Sequence, residues 1–281
     1  MKNCDLHTHS VYSDGTYTPN EIIEAAEAAE LASVALCDHN TVSGAREFLE
    51  CAKGKSVNAI AGIEISTDYG ETELHIVGLF IDPMHFSRVE EYVSVLVKNK
   101  EESNKRLIGK LREGGYDIDF DEIKAKTPNG RFNRAHIASE LTAKGYTKSV
   151  SDAFATLLSR ESRFYVPNKR IPTFEAIEFL KSINAVAVIA HPFLDLTEEE
   201  LDVFLPLAKA HGLDAMEVFY STYDSETTEK AIALSEKHGL LKSGGSDFHG
   251  TRKPDISLGI GRGALCVPNT VCETLKSRIN R

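Results

Sequence analysis

The chain has no excess of positive charge, no membrane-length apolar run, no paired-cysteine spacing and no apolar leader. Its 281 residues carry 32 lysines and arginines against 42 aspartates and glutamates, a formal net charge of −10. That balance excludes broad electrostatic binding to polyanions, so neither a membrane partner nor a stable nucleic-acid complex is expected. No apolar run approaches the roughly 20 residues of a spanning helix. Met1 to Ser10 is too polar for the apolar part of a secretory signal. The cysteines, Cys4, Cys37, Cys51, Cys266 and Cys272, are odd in number and lack C-x-x-C spacing. Three lie in strand-like runs, so buried free thiols are expected instead of a disulfide framework. There is no internal repeat and no low-complexity segment. A cytoplasmic location is expected, for a chain long enough to form a large domain or a barrel with an insertion.

What is present is an alternation of short apolar strands and helices. Strands are expected at Cys4–Ser10, Ser33–Cys37, Val57–Ile65, Leu74–Ile81, Ala185–Ala190, Asp214–Phe219, Leu240–Gly244 and Ala264–Val267. Between them, Thr18 and Glu21 form a capping box for a helix at Pro19–Leu31, and Thr41 is expected to cap a second helix running to about Lys53. Further helices are read at 173–183, 197–211 and 225–238, and from Asn269 onward. The third and fourth strands, joined by Asp68-Tyr69-Gly70, break the alternation and suggest a hairpin. From 85 to 170 the texture changes to polar, helical sequence with helices at about 87–113, 119–126, 133–144 and 149–159. This segment is basic in places, with Arg131, Arg134, Lys144, Lys148, Arg160, Arg163, Lys169 and Arg170. The expectation is an α/β barrel domain formed by 1–84 and 171–281, its sheet parallel with helices outside, and a helical insertion at 85–170.

The polar residues of the barrel segments concentrate where strands end. His7 and His9 share a face of the first strand. Asp14, His39, Glu64, His75, His191, Asp247 and His249 lie at or near later strand termini, the rim where barrel enzymes carry their chemistry. Nine such ligands exceed the needs of one ion; two ions need about six and three about nine. Mixed nitrogen and oxygen donors without thiolate suit Mn²⁺, Fe²⁺ or Zn²⁺, with Mn²⁺ preferred here. A carboxylate such as Glu64 can bridge two ions. No lysine is well placed at a strand end, which argues against an amidohydrolase that relies on a carboxylated lysine.

Asp5-Leu6-His7-Thr8-His9-Ser10, Asp38-His39-Asn40, Gly62-Ile63-Glu64-Ile65, Ala190-His191-Pro192 and Gly245-Ser246-Asp247-Phe248-His249 resemble, in order, the motifs of the PHP (polymerase and histidinol phosphatase) family. That resemblance implies a distorted (β/α)7 barrel holding three divalent ions. One would lie among His7, His9, Glu64 and Asp247. A second would lie among Glu64, His75 and His191, and a third among Asp14, His39 and His249. The insertion, with Asn133-Arg134-Ala135-His136-Ile137-Ala138, is similar to the subgroup acting on 3′,5′-nucleoside bisphosphates and short oligonucleotides. Weaker similarities lie in Tyr165-Val166-Pro167 and the Lys253-Pro254 loop.

The expected reaction is phosphoester hydrolysis of a small nucleotide-like substrate by a hydroxide bridging two ions, since such ions lower the pKa of bound water to about 7. The expected outcome is removal of phosphate from a 3′,5′-bisphosphate to leave a 5′-nucleotide. A cyclic phosphodiesterase or a histidinol-phosphate phosphatase is the alternative, and a non-phosphate hydrolase the more distant one. Glu64, Asp247, His249, Arg134 and His136 are the candidate catalytic residues. Arg134 and His136 also bind phosphate in this reading, with His136 a candidate acid for the leaving alkoxide. Phe132, Phe154, Phe164 and Tyr165 are candidates for stacking on a base. Asp38 is read as either a support for a ligand histidine or a strand terminus. His211 and His238 are read as helix C-terminal residues, and Gly259-Ile260-Gly261-Arg262-Gly263 fails as a dinucleotide loop because it precedes a strand.

Overall fold

A computed structural model describes residues 2–126 and 134–279. The chain divides into two compact units, Met1–Val93 with Ile171–Arg281, and Ser94–Arg170. The strands are β1 (Cys4–Thr8), β2 (Ser33–Leu36), β3 (Asn58–Tyr69), β4 (Thr72–Leu79), β5 (Ile171–Pro172), β6 (Val186–Ile189), β7 (Ala215–Tyr220) and β8 (Leu241–Gly245). The helices are α1 (Pro19–Ala28), α2 (Ala45–Cys51), α3 (Phe86–Glu113), α4 (Phe120–Ala125), α5 (Arg134–Ala143), α6 (Val150–Ala155), α7 (Thr173–Ser182), α8 (Glu198–Ala210), α9 (Ser225–Lys237) and α10 (Asn269–Lys276). None among the described residues is long and apolar enough to cross a membrane.

In the first unit the strand order is β1-β2-β3-β4-β6-β7-β8, with β5 pairing alongside β3. All run the same way except β4, which is antiparallel to both β3 and β6. The parallel expectation is corrected at that strand by the hairpin that Gly70, at φ +61°, turns. Side chains of β2 show the two faces. Val34 and Leu36 pack with Ile22, Ile23 and Phe48 of α1 and α2. Ala35 and Cys37 join Cys4, Leu6, Val77, Leu79, Val186 and Val188 in the barrel interior.

The ring nearly closes between β1 and the chain following β8. Asp247 N donates to His7 O at 2.8 Å and His9 N to Phe248 O at 2.9 Å. Close approach requires Gly245, where a Cβ would fall 2.4 Å from His7 N. Beneath this seam lies the buried carboxylate of Asp5. It accepts from Ser246 N (2.8 Å), Ser246 Oγ (2.5 Å), Gly259 N (2.8 Å) and His7 N (3.3 Å). The glycine loop that resembles a dinucleotide motif thus serves the barrel seam.

Other expectations need correction. Thr41 does not cap α2; Gly44 occupies that position, and Thr41 Oγ1 bonds Glu90 Oε1 at 2.8 Å. The run 264–267 forms no strand, only an isolated Asn3–Pro268 bridge and a Cys4 N to Val267 O bond of 2.9 Å. Pro268 lacks the N–H a ladder needs and leads directly into α10. Cys266 in that run is exposed, whereas Cys4, Cys37 and Cys272 are buried; all five thiols are free.

The first turns of α3 belong to the barrel unit. Tyr92 stacks on Phe179 with centroids 3.6 Å apart, and Arg88 donates to Ser182 Oγ at 3.0 Å. This is why the second compact unit begins at 94, not at 85. That unit has its own core of Leu107, Ile108, Leu111, Ile118, Ile137, Leu141 and Phe164. Phe164 is therefore core, not a stacking surface. Phe132 and Asn133 lie outside the described residues.

Replacing Asp5 with alanine leaves buried donors at Ser246, Gly259 and His7 without their acceptor. Asp5→Ala is expected to destabilise the protein by roughly 3 kcal/mol or more. Urea denaturation of metal-free protein checks this, and an unchanged midpoint would contradict the role given to the seam.

Candidate metal centre

Two irregularities aim the first strand. In β1 the pairing partner of Asp5 is Val34 and that of Thr8 is Leu36. Two residues, Leu6 and His7, therefore oppose the single Ala35, a β-bulge of the kind found beside active sites. Before the bulge Leu6 faces the interior core; after it His7 and His9 do. The second irregularity is the inverted strand. Glu64 pairs with Val77 and Ser66 with His75 in the antiparallel ladder, which puts Glu64 and His75 diagonally on one face. Both lie within strands, not at strand ends, because the hairpin continues past the barrel.

The remaining ligand-type residues follow strand ends. Asp14 sits in a turn packed against β1, where a Cβ on Gly15 would meet His9 O at 2.3 Å. Asp38 anchors this turn by accepting from Ser10 N (2.8 Å), Ser10 Oγ (2.6 Å) and Ser13 Oγ (2.5 Å). Three non-glycine residues here take left-handed backbone conformations: Asn40 (φ 53°), His191 (φ 30°) and Asp247 (φ 56°). Such strain gathers where function dictates the direction of a side chain.

Glu64, fully buried, is the centre. On Oε2 converge His39 Nδ1 at 2.9 Å, His7 Nε2 at 3.3 Å and His9 Nε2 at 3.3 Å. On Oε1 converge His75 Nδ1 at 2.8 Å and His191 Nε2 at 3.0 Å. Asp247 Oδ1 stands 3.1 Å from His9 Nε2, and Asp14 Oδ1 stands 3.1 Å from His249 Nε2. Three groups have the compactness an ion requires: His9, Asp14, His39 and His249; His7, His9 and Glu64; and His39, Glu64 and His75.

Hydrogen bonding does not account for this packing. His7 Nε2, both nitrogens of His9, Asp14 Oδ1, His39 Nδ1, Glu64 Oε2 and His191 Nδ1 are buried and make no hydrogen bond. Buried polar atoms are seldom left so. Nitrogen and oxygen lone pairs aimed at common points fit divalent cations, so the donor set passes the test of fit.

Burial opposes charge on each group, and the neighbours decide the outcome. Against burial, His39, His75 and His7 hold the Glu64 carboxyl well below the usual range. His249 and His39 likewise lower Asp14. Burial and the adjacent His39 push His9 down to about 3. Against burial, Glu64 raises His75 to about 10, and Asp195 with Glu64 raises His191 to about 9.

The structure brings together all nine ligand candidates read from the sequence. Arg134 and His136 belong to the second unit, at the start of α5; the Arg134 guanidinium lies 5.4 Å from the Tyr165 ring centroid and donates to Leu158 O. His211 and His238 terminate α8 and α9 and bond Glu178 and Asp202. Sequence reasoning missed Tyr220 and Glu217, and reached Lys253 only as part of a weakly similar loop. Tyr220 Oη donates to Asp247 Oδ2 at 2.8 Å and Lys253 Nζ to the same oxygen at 2.7 Å. Glu217 is buried beside His7 and His191, with Oε1 3.3 Å from His7 Nδ1 and Oε2 accepting from His191 N at 2.7 Å. Its one signal was a lone carboxylate inside the apolar run Ala215-Met216-Glu217-Val218-Phe219.

A model of the PHP domain matches residues 5–184. The chain is 31% identical over 252 residues to a 5′-3′ exoribonuclease of Haemophilus influenzae, covering 88% of this chain and 90% of that protein. It is 28% identical over 283 residues to a 3′,5′-nucleoside bisphosphate phosphatase of Chromobacterium violaceum, covering 100% and 99%. A crystal structure from Bifidobacterium adolescentis, of a protein assigned as a metal-dependent phosphoesterase, aligns with a TM-score of 0.80 at 30% identity over 100% of this chain and 99% of that one. Fold, donor cluster and likeness together define a metal-dependent phosphoester hydrolase. The chain belongs to the PHP domain family, as its motifs suggested.

Glu64 is a member of two of the three donor groups and contacts His9 and His39 of the third, whereas His249 belongs to one group alone. Glu64→Gln is therefore expected to reduce bound divalent metal per chain further than His249→Ala does. Plasma mass spectrometry after equilibration with Mn²⁺ measures this, and equal losses would contradict the central position of Glu64.

Proposed function

We propose that the cluster holds three divalent ions, Mn²⁺ first, with Fe²⁺ and Zn²⁺ as the other candidates. His7, His9, Glu64 and Asp247 hold one, Glu64, His75 and His191 a second, and Asp14, His39 and His249 the third. The carrying observation is the convergence of five imidazoles on the two oxygens of Glu64, with bare lone pairs between them. Bound there, such ions supply Lewis acidity and an ionised water at neutral pH. The protein's own part is orientation. Glu64 gives one oxygen to each side of the cluster. Tyr220 and Lys253 occupy Asp247 Oδ2, leaving Oδ1 turned toward His9. Burial raises the Tyr220 phenol far above its ordinary range, so it acts as a neutral donor to Asp247.

The substrate in this reading is a 3′,5′-nucleoside bisphosphate, which loses its 3′-phosphate to leave a 5′-nucleotide; short oligonucleotides are secondary substrates. What supports it is likeness across essentially the full length of both chains to a phosphatase named for that substrate. The helical insertion is proposed as a substrate cap, with Arg134 contacting phosphate and His136 contacting phosphate or protonating the leaving oxygen. The excess of acidic residues fits a small substrate over a long polyanion. The proposed location is the cytoplasm.

Two experiments test this. Steady-state kinetics with adenosine 3′,5′-bisphosphate, a 2′,3′-cyclic nucleotide, a cyclic sugar phosphate and histidinol phosphate should give the highest kcat/KM for the bisphosphate. A higher value for histidinol phosphate or the cyclic sugar phosphate would overturn the substrate while leaving the metal chemistry standing. Arg134→Ala should lower kcat/KM for the bisphosphate by the equivalent of roughly 1.5–3 kcal/mol with metal content unchanged. Unaltered kinetics would remove Arg134 from the site.

A further inference from the structure

Glu217 is a buried carboxylate that belongs to none of the three donor groups. It stands at an irregularity of β7: Glu217 pairs with Ser243 but Phe219 with Gly244, so β7 has one residue more than β8 here. Its two oxygens reach two other strands. Oε2 accepts from the backbone N–H of His191 at 2.7 Å, in the left-handed turn that carries that imidazole at the end of β6. Oε1 faces His7 Nδ1, on β1, at 3.3 Å.

We infer that Glu217 is a positioning residue that keeps the His7 proton on Nδ1 and secures the turn bearing His191, so that both imidazoles present their Nε2 atoms to Glu64. The argument follows from donor and acceptor inventory. A carboxylate only accepts, so the His7 nitrogen facing it must carry the hydrogen. In neutral imidazole that leaves Nε2 bare. Nε2 makes no hydrogen bond and stands 3.3 Å from Glu64 Oε2 and 3.9 Å from Asp247 Oδ1. A lone pair confronting two carboxylate oxygens is repelled unless a proton or a metal ion lies between them. Groups behind a ligand imidazole commonly set its tautomer in this way.

The inference rests on the proposed metal reading, and one substitution separates the two. Glu217→Gln preserves size and shape. The His191 N–H cannot reverse, so it retains the amide oxygen. The amide NH₂ then faces His7 Nδ1, which must accept, and the proton moves to Nε2, where it blocks coordination. A purely structural role would leave the isosteric variant close to wild type in metal binding.

The measurements are competitive Zn²⁺ titration and ¹⁵N NMR of the histidine side chains, on the full-length protein. Glu217→Gln should bind Zn²⁺ roughly 10–100-fold more weakly at its tightest site. In metal-free variant protein His7 should be protonated on Nε2, and in Zn²⁺-loaded wild type on Nδ1. Wild-type affinity in the variant, or weaker binding with the His7 proton still on Nδ1, would overturn the role of Glu217 alone. Failure of wild type to bind Zn²⁺ would overturn the metal reading and this inference with it. If the variant does not fold, the wild-type spectrum decides: Zn²⁺ on Nδ1 of His7 overturns the inference and Zn²⁺ on Nε2 supports it.

Discussion

One carboxylate, fully withdrawn from solvent and ringed by five imidazoles, sets the terms for the barrel. Burying Glu64 as an anion is costly unless charge returns to it. The imidazoles that return charge come from four places in the chain: β1, the end of β2, β4 and the end of β6. Strands far apart in sequence can aim side chains at one point when their ends form a ring. That is what the nearly closed sheet supplies, and why the seam between β1 and β8 is made by the backbones of His7, His9, Asp247 and Phe248 themselves.

A regular barrel would not deliver this geometry. The ideal alternation of β1 would put Leu6 inside and His7 outside; the bulge places both on the inner side and carries His9 along. β7 has the same device at Glu217. The antiparallel β4 brings His75 diagonally against Glu64, whereas a crossover helix would have delivered only a strand end. The two register shifts interrupt their ladders, at Leu6 and His7 in β1 and beside Glu217 in β7, whereas the β3–β4 ladder is continuous through Glu64 and His75. Regular structure here supplies position, and irregular structure supplies direction.

The nine candidate donors stood out in the sequence because histidines and acids that end or interrupt apolar strands are conspicuous locally, and the hairpin because two strands met without a helix between them. Capping at Thr18 was legible too, since the box lies within four residues. What escaped depended on partners remote in sequence. The bulge at Leu6 and His7 exists only relative to Ala35. Thr41 fits the cap pattern, but Glu90, almost fifty residues away, takes its hydroxyl. The run at 264–267 has the composition of a strand, yet Pro268 and the turns before it leave no ladder to join. Glu217 was hidden because a lone acid in an apolar strand gains meaning only from His7 and the His191 backbone, neither near it in sequence.

Charge links the site to its proposed substrate. A chain with net charge −10 repels phosphate esters at long range, and the carboxylates of Asp14, Glu64 and Asp247 deepen that repulsion at the barrel mouth. Three divalent ions would more than offset those carboxylates and leave a positive centre within a negative surface. Such a field acts over about a Debye length, roughly 8–10 Å at physiological salt. It favours a substrate whose anionic groups all fall inside that range and penalises a long polyanion that extends beyond it. A nucleoside bisphosphate meets the condition and a folded RNA does not. The same logic extends to Asp247: the Lys253 ammonium on Oδ2, beside the neutral hydroxyl of Tyr220, would limit the negative charge that an incoming phosphate meets.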